Sequence, residues 1–164
     1  MIILLKNKQT LKVDDHFLRC VIGKNGLTSK KKEGDKKTPK GIFDIGNLYY
    51  RNDRINYLQT NLKTILIKKN MGWCDDVKSS KNYNKLIKSP NIFKHEKLFR
   101  KDHKYDLLIP IKYNFKKPKV PNGSCIFFHL TEDYKPTAGC IALKKKDFLV
   151  LIKLINKNTK LIIS

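Results

Sequence analysis

The sequence predicts a single, mostly β domain with a few helices, and three observations support this prediction. The chain has 164 residues, 40% of them apolar, which is enough for one ordinary domain with a buried core. Its apolar runs are short, rich in Ile, Val, Phe and Tyr, and bounded by turn residues. The most polar segment, residues 28–40, is punctuated by Gly34, Pro39 and Gly41 like a structured loop rather than a linker. We therefore expect one domain over residues 1–164.

Eight apolar runs are predicted as strands. In chain order they cover residues 2–5, 17–23, 41–45, 64–67, 107–113, 124–130, 140–143 and 160–163. One amphipathic helix is predicted over residues 145–155, where Phe148, Leu149, Ile152 and Ile155 recur at helical spacing. Two shorter helices are predicted over residues 83–88, where Ser89-Pro90 would stop the helix, and over residues 95–100.

The charge balance is strongly basic. Lys and Arg number 36 against 14 Asp and Glu, giving a formal net charge of +22 and a pI near 9.9. This favours an anionic partner, which is nucleic acid, an acidic membrane or an anionic cell-wall polymer. Only four of the 36 are Arg, and Lys is scattered along the chain, whereas proteins that read bases depend on the Arg fork. A coding bias toward A/T-rich codons explains the abundant Lys, Asn and Ile equally well.

Neither a membrane helix nor a secretory signal peptide is predicted. No window approaches 18 consecutive apolar residues, and Lys6 and Lys8 interrupt the N-terminal apolar run. The chain is therefore expected to stay in the cytoplasm, or to depend on an export segment that this sequence lacks.

The four cysteines, at positions 20, 74, 125 and 140, form no CxxC pair, and the four His form no HExxH motif. No metal site is therefore predicted. A two-disulfide framework is an alternative for an exported protein, but it would consume a catalytic thiol. Cys125 precedes His129 by four residues in one predicted strand, about 13 Å at about 3.3 Å per residue, which makes it a poor partner for that imidazole.

Residues 123–147 carry the candidate chemistry. A predicted strand places His129 among apolar residues, a polar loop follows, and Cys140 begins the next apolar run. A nucleophilic Cys needs a neighbouring imidazole to take its proton, and a strand–loop–strand return brings both side chains to one end of the sheet. Gly139 permits close backbone approach, and N–H groups at 138–140 are candidate oxyanion donors. Alternatively, His129 is a core histidine and Cys140 a small buried hydrophobe.

PTAGCIAL preceded by FFHL resembles the active-site signature of the L,D-transpeptidase catalytic domain, also called the YkuD domain. Compared with the general family pattern, the His–Cys interval is shorter, Ala138 replaces a His, and Ala142 replaces a polar residue. These departures match a divergent branch that carries H…PTAGC[IV]AL. CVIGKNGLTSKKKEGDKKTPKGIFDI also resembles the G-x-x-G…K-x-EGD-x-x-TP-x-G-x-F element of that branch. The resemblance runs from about Arg19 to the C-terminus.

The resemblance implies a YkuD-like β-sandwich or barrel with one C-terminal helix. It implies that Cys140 is the nucleophile, His129 the general base, and Gly139 with the backbone of Ala138 the oxyanion-hole stretch. The carbonyl of Leu130 would orient the imidazole. Seven further residues are candidate substrate contacts, with structural roles as the alternative: Trp73, Asp75, Asp76, His95, His103, Asp106 and Thr137.

The implied reaction uses peptidoglycan stem peptides and needs no cofactor or metal. The Cys140 thiolate attacks the carbonyl of the diamino acid in a tetrapeptide stem, and D-Ala leaves with a proton from His129. An amine of a second stem then gives a 3→3 cross-link, whereas water gives an L,D-carboxypeptidase. The resemblance implies the periplasm or cell envelope, and an active protein with its four cysteines reduced. The rivals are a non-enzymatic basic β module that binds nucleic acid and an inactive wall-binding domain.

Overall fold

Fifteen strands and one helix make up the regular structure of residues 1–88 and 92–164, which this computed structural model describes. In chain order they are β1 (Ile2–Leu5), β2 (Thr10–Val13), β3 (His16–Val21), β4 (Leu27–Thr28), β5 (Thr38–Pro39), β6 (Gly41–Asp44), β7 (Leu48–Tyr50), β8 (Thr64–Leu66), β9 (Met71–Cys74), β10 (Leu86–Lys88), β11 (His95–Lys97), β12 (Leu107–Pro110), β13 (Phe127–Leu130), β14 (Ile141–Leu143), α1 (Lys145–Leu154) and β15 (Lys160–Ile163). The mostly β fold class is confirmed.

Ten strands form one curled sheet in the order β6-β15-β1-β2-β3-β14-β13-β12-β7-β8. Strand β3 joins its two halves, because its first residues pair with β2 while Cys20 and Val21 pair with β14. The pairs β1–β15, β13–β14 and β7–β8 are parallel, and the other neighbours in this sheet are antiparallel. Strands β10-β9-β11 and β4-β5 form two smaller sheets.

The central strands β12, β13 and β14 are buried on both faces. On one face, Phe128 and Leu130 of β13 join the main core, which α1 covers with Phe148, Leu151 and Ile152. On the other face, Phe127 packs into a second cluster that includes Cys140. Because side chains alternate along a strand, His129 shares the face of Phe127. The second face therefore holds the candidate site.

Helix α1 confirms the predicted C-terminal helix, since Ile155 is its C-cap. The two shorter predicted helices are wrong: Leu86–Lys88 and His95–Lys97 are strands that pair with the two edges of β9. Six-residue segments cannot offset the cost of nucleating a helix, so pairing with β9 prevails over local apolar spacing. The predicted stop at Ser89-Pro90 lies outside the described residues.

Several strand boundaries also differ from the sequence pattern. The strand predicted from residue 124 begins at Phe127, because Cys125 has a φ of +53°, which no strand accommodates. Strands β2, β4, β5, β7 and β9 have no counterpart among the predicted strands. Within the described ranges, no helix combines the length and the apolar character that crossing a membrane requires.

Candidate active site

Cys140 and His129 belong to neighbouring parallel chain segments. The register of β13 and β14 sets His129 opposite Ala142, two residues beyond Cys140. With a rise of about 3.3 Å per residue and a strand spacing of about 4.8 Å, their Cα atoms are about 8 Å apart. Both residues line one cavity of about 530 Å³. The sheet thus brings the two predicted catalytic residues to a common space.

The thiol of Cys140 is buried and hydrogen-bonded within the protein. It donates to the carbonyl oxygen of Cys125 at 3.1 Å, and its sulfur accepts from the N–H of Phe127 at 3.4 Å. Burial raises the pKa of this thiol to about 12, the charge of Glu96 acts in the same direction, and the Phe127 N–H opposes them. Cys140 is therefore a neutral thiol at neutral pH.

His129 is held by the main chain of its own strand. Its Nδ1 lies 2.8 Å from the carbonyl oxygen of Leu130. Because a carbonyl only accepts, this contact assigns the proton to Nδ1 and leaves the lone pair on Nε2. Burial lowers the pKa of His129 to about 4, so the imidazole is neutral. The ring of Tyr105 packs edge-on against it, with centroids 5.5 Å apart.

Both backbone polar groups of Gly139, the N–H and the carbonyl, are hydrogen-bonded within the protein. Its φ is +140°, and a Cβ added there would meet the carbonyl oxygen of Lys37 at 2.8 Å. The hydroxyl of Thr38 donates to the Gly139 carbonyl at 2.8 Å and accepts from the N–H of Gly23 at 2.9 Å. The hydroxyl of Thr137 accepts from the Gly139 N–H at 3.1 Å. That N–H, predicted as part of the oxyanion-hole stretch, therefore already has an internal partner.

The loop before β5 forms a wall of the cavity that sequence reasoning did not assign to the site. Lys31 is almost fully buried and forms an ion pair with Asp35 at 2.6 Å. The carboxylate of Glu33 accepts from the hydroxyl of Ser124 at 2.7 Å and from that of Tyr83. The KxEGD motif at residues 31–35 could have indicated that this loop belongs to the site, but it lies far from Cys140 in the sequence.

The cavity carries charges of both signs. Glu33, Asp75 and Glu96 contribute carboxylates, and burial raises the pKa of Glu96, with Asp75 and Glu33 adding to the effect. Oδ2 of Asp75 pairs with Lys94 at 3.2 Å, whereas its buried Oδ1 has no hydrogen-bond partner among the described residues. Besides Lys31 and Lys94, three cations line the cavity: Lys104, Arg100, which pairs with Asp102, and Lys135, which pairs with Asp133. It can therefore accommodate a ligand that carries both an ammonium group and a carboxylate.

Of the seven further candidates, Asp75 and Thr137 line this cavity, and three others have structural partners elsewhere. Trp73 is 3% exposed, packs against Phe127 and donates to the side-chain oxygen of Asn84 at 3.0 Å. Both oxygens of Asp76 accept backbone N–H groups, and Nδ1 of His95 lies 2.7 Å from the carbonyl oxygen of Phe93.

The two remaining candidates, His103 and Asp106, are hydrogen-bonded to each other and line a neighbouring cleft. The Asp106 carboxylate is buried, and it contacts Nδ1 of His103 at 2.7 Å and Nη1 of Arg54 at 2.9 Å. Its charge is therefore balanced internally.

All four cysteines are buried free thiols. Cys125, whose φ of +53° places it outside β13, lines the same cavity as Cys140 and His129. In the described part of the chain, no three His, Cys, Asp or Glu side chains converge as a metal-binding group.

The chain is similar to two solved structures. The chain resembles Bd1075 of Bdellovibrio bacteriovorus with a TM-score of 0.50 at 16% identity, covering 99% of this chain and 47% of that one. The helical cell shape determining protein Pgp2 from Campylobacter jejuni gives a TM-score of 0.48 at 16% identity, with 98% and 46% covered. This chain thus spans about half the length of these solved structures. No curated protein matches the sequence.

The family comparison covers nearly the whole chain. Residues 1–163 match the profile of YkuD, the L,D-transpeptidase catalytic domain. The sequence signature around Cys140 and the curled sheet that carries it point the same way, and the chain belongs to the YkuD family of L,D-transpeptidase catalytic domains.

Proposed function

We propose that this chain is a cysteine-dependent L,D-transpeptidase that acts on peptidoglycan stem peptides in the cell envelope, as one catalytic domain over residues 1–164. The observation that carries the proposal is the shared cavity of Cys140 and His129, together with the Leu130 carbonyl that fixes the proton of His129 on Nδ1. A neutral imidazole with a free Nε2 lone pair is the form that accepts a thiol proton.

The chemistry begins with a proton transfer, because the resting thiol is neutral and donates to the Cys125 carbonyl. As a tetrapeptide stem enters, the thiol turns from that carbonyl and gives its proton to Nε2 of His129. The sulfur then bonds to the carbonyl carbon of the diamino acid. The N–H groups of Ala138 and Cys140 are the proposed oxyanion donors, since Thr137 holds that of Gly139.

The second half completes the exchange. When the tetrahedral intermediate collapses, the C–N bond to D-Ala breaks, and His129 returns its proton to the leaving amine. An amine of a second stem attacks the thioester carbon and passes a proton to His129, which returns it to the sulfur as the thioester bond breaks. The product is an amide cross-link of the 3→3 type and a regenerated thiol. If water attacks the thioester in place of the amine, the product is a tripeptide and the protein acts as an L,D-carboxypeptidase.

The charges of the cavity support a stem peptide as substrate. A diamino acid presents an ammonium group, and the carboxylates of Asp75 and Glu96 suit such a cation, since both line the cavity and Oδ1 of Asp75 has no hydrogen-bond partner among the described residues. Free carboxylates of the stem suit Arg100 and Lys104, which lie near enough to His129 to help lower its pKa.

The test of the nucleophile is intact-mass measurement after exposure to a carbapenem, a β-lactam that acylates nucleophiles of this family. We expect one adduct per chain in the wild type and none in Cys140→Ala. Cys20→Ala is the matched control, because burial raises the pKa of Cys20 to about 12 as well, yet Cys20 lies in the main core. Cys20→Ala should keep the adduct. An adduct on Cys140→Ala would show that another residue is the nucleophile.

The test of the base is the same assay across pH. His129→Ala should slow acylation by about 10²–10⁴-fold, the usual contribution of a positioned base, and should recover part of that loss as the pH rises. A wild-type rate across the pH range would show that His129 is only a core residue. A soluble tetrapeptide then separates the outcomes: a cross-linked dimer supports the transpeptidase, and a tripeptide supports the carboxypeptidase.

A further inference from the structure

A second cleft, of about 620 Å³, lies where β13 and β14 end. These strands are parallel, so their carboxyl ends meet at one edge of the sheet, and the N–H of Thr131 donates to the carbonyl of Leu143 at 2.8 Å. Four basic side chains line the cleft, namely Arg54, Lys144, Lys145 and Lys146. We call this the basic cleft.

The basic cleft has four positively charged side chains in its lining and two carboxylates, which leaves a net positive charge. Asp106 is committed to Arg54 and His103, and Glu132 is the other acidic residue of the lining. Lys144, Lys145 and Lys146 are exposed, and none forms an ion pair with a carboxylate of the described residues. Three adjacent unpaired ammonium groups repel one another, so an anion that sits between them relieves this repulsion.

The basic cleft adjoins the catalytic cavity. A smaller cavity of about 190 Å³ shares Lys104 and Asp133 with the catalytic cavity and His103 and Glu132 with the basic cleft. Leu130 and Thr131 line all three.

The distance between the two sites suits a short peptide. Cys140 and Lys144 flank β14 on its two sides, four residues apart, which at about 3.3 Å per residue spans about 13 Å. An extended peptide of about four residues covers the same distance. A ligand of that length can therefore reach from the catalytic cysteine to the lysines.

We propose that the basic cleft binds carboxylate groups of a peptide whose other part occupies the catalytic cavity. The identification of that peptide as a peptidoglycan stem rests on the proposed function. The cleft holds the anionic end of the peptide and so aligns the rest of it along Leu130 and Thr131 toward Cys140.

The test measures peptide binding by calorimetry in a Cys140→Ala background, which prevents acyl transfer. The site variant is Lys144→Gln/Lys145→Gln/Lys146→Gln. The control variant is Lys63→Gln/Lys153→Gln/Lys157→Gln, which removes the same net charge from exposed lysines elsewhere. The probes are a tetrapeptide stem and its form with amidated carboxylates. We expect the site variant to raise the Kd of the free-acid tetrapeptide by roughly tenfold, and the control variant to change it less than twofold.

The amidated tetrapeptide should bind the protein with unmutated lysines more weakly than the free-acid tetrapeptide does. Its Kd should be the same for the site variant and the control variant. Equal losses in both variants, or equal binding of both peptides, would overturn the proposal, as would tighter lysine-dependent binding of a single-stranded RNA than of the tetrapeptide. Carbapenem acylation of the wild type keeps the two proposals separate. If Cys140 takes no adduct but the free-acid tetrapeptide still binds through the three lysines, the proposed function fails and the basic cleft stands.

Discussion

The hydroxyl of Thr38 joins two segments that are 101 positions apart in the chain, and its removal is the most informative single perturbation. Thr38 is fully buried; it donates to the Gly139 carbonyl at 2.8 Å and accepts from the Gly23 N–H at 2.9 Å. Thr38→Val keeps the shape of the side chain and leaves both backbone groups without a partner. The variant therefore tests whether these two hydrogen bonds hold Gly139, the residue before Cys140, in place.

The expected cost follows from those two groups. A buried polar group left unsatisfied costs about 1–3 kcal/mol, so two such groups with partial relaxation should cost about 3 kcal/mol of unfolding free energy. For a chain of this size, 1 kcal/mol shifts the Tm by about 2–4 °C, so we expect a fall of about 6–12 °C. Acylation of Cys140 should also slow by about 10–100-fold at a temperature where the variant is folded, because small displacements of reacting groups are costly.

The assays are thermal unfolding by circular dichroism and the rate of carbapenem acylation by mass. Thr38→Ser keeps the hydroxyl and should lose only about 1 kcal/mol for the missing methyl group, with near wild-type acylation. Thr28→Val removes a hydroxyl that accepts one N–H in an exposed turn, so it controls for the substitution itself. A Tm within about 2 °C of the wild type would refute the hydrogen-bond argument. A large Tm loss with an unchanged acylation rate would refute the positioning argument.

Two further predictions concern the same face of the sheet. The pKa of His129 is about 4 in the folded protein against an ordinary value of 6.5, so the unfolded chain binds more protons between these values. The contribution of the neutral His129 to the free energy of unfolding is therefore fully present above pH 6.5. It should be lost, at a cost of about 3 kcal/mol, as the pH drops to about 4. The unfolding free energy of His129→Gln, measured by urea unfolding across this pH range, should lack this loss. The same pH dependence in the wild type and the variant would contradict the prediction. Gly139→Ala should cost about 2–3 kcal/mol, because its Cβ meets the Lys37 carbonyl at 2.8 Å at a φ of +140°. Gly26→Ala, also at positive φ but with no atom within 4 Å of the added Cβ, should cost about 1 kcal/mol, and equal costs would exclude the steric contribution.

Local pattern predicts what depends on neighbours in the chain. The amphipathic spacing of Phe148, Leu149 and Ile152 predicts α1, and apolar runs predict β1 and β15 with their observed bounds. The same reasoning fails for residues 86–88 and 95–97. There the deciding interaction is hydrogen bonding to β9, which no local window contains.

The sequence by itself determined the mostly β class, the C-terminal helix and the choice of Cys140 and His129 as candidate catalytic residues, because each depends on residue types and spacings within short stretches of the chain. Only the tertiary structure decided their protonation, since the pKa of a buried group depends on every atom that excludes water from it. It also decided that Thr38 and Lys31 lie against Gly139, whose position reflects the folding of distant loops. Residues far apart in sequence meet because strands β13 and β14 are buried on both faces, and burial of both faces requires elements from the whole chain.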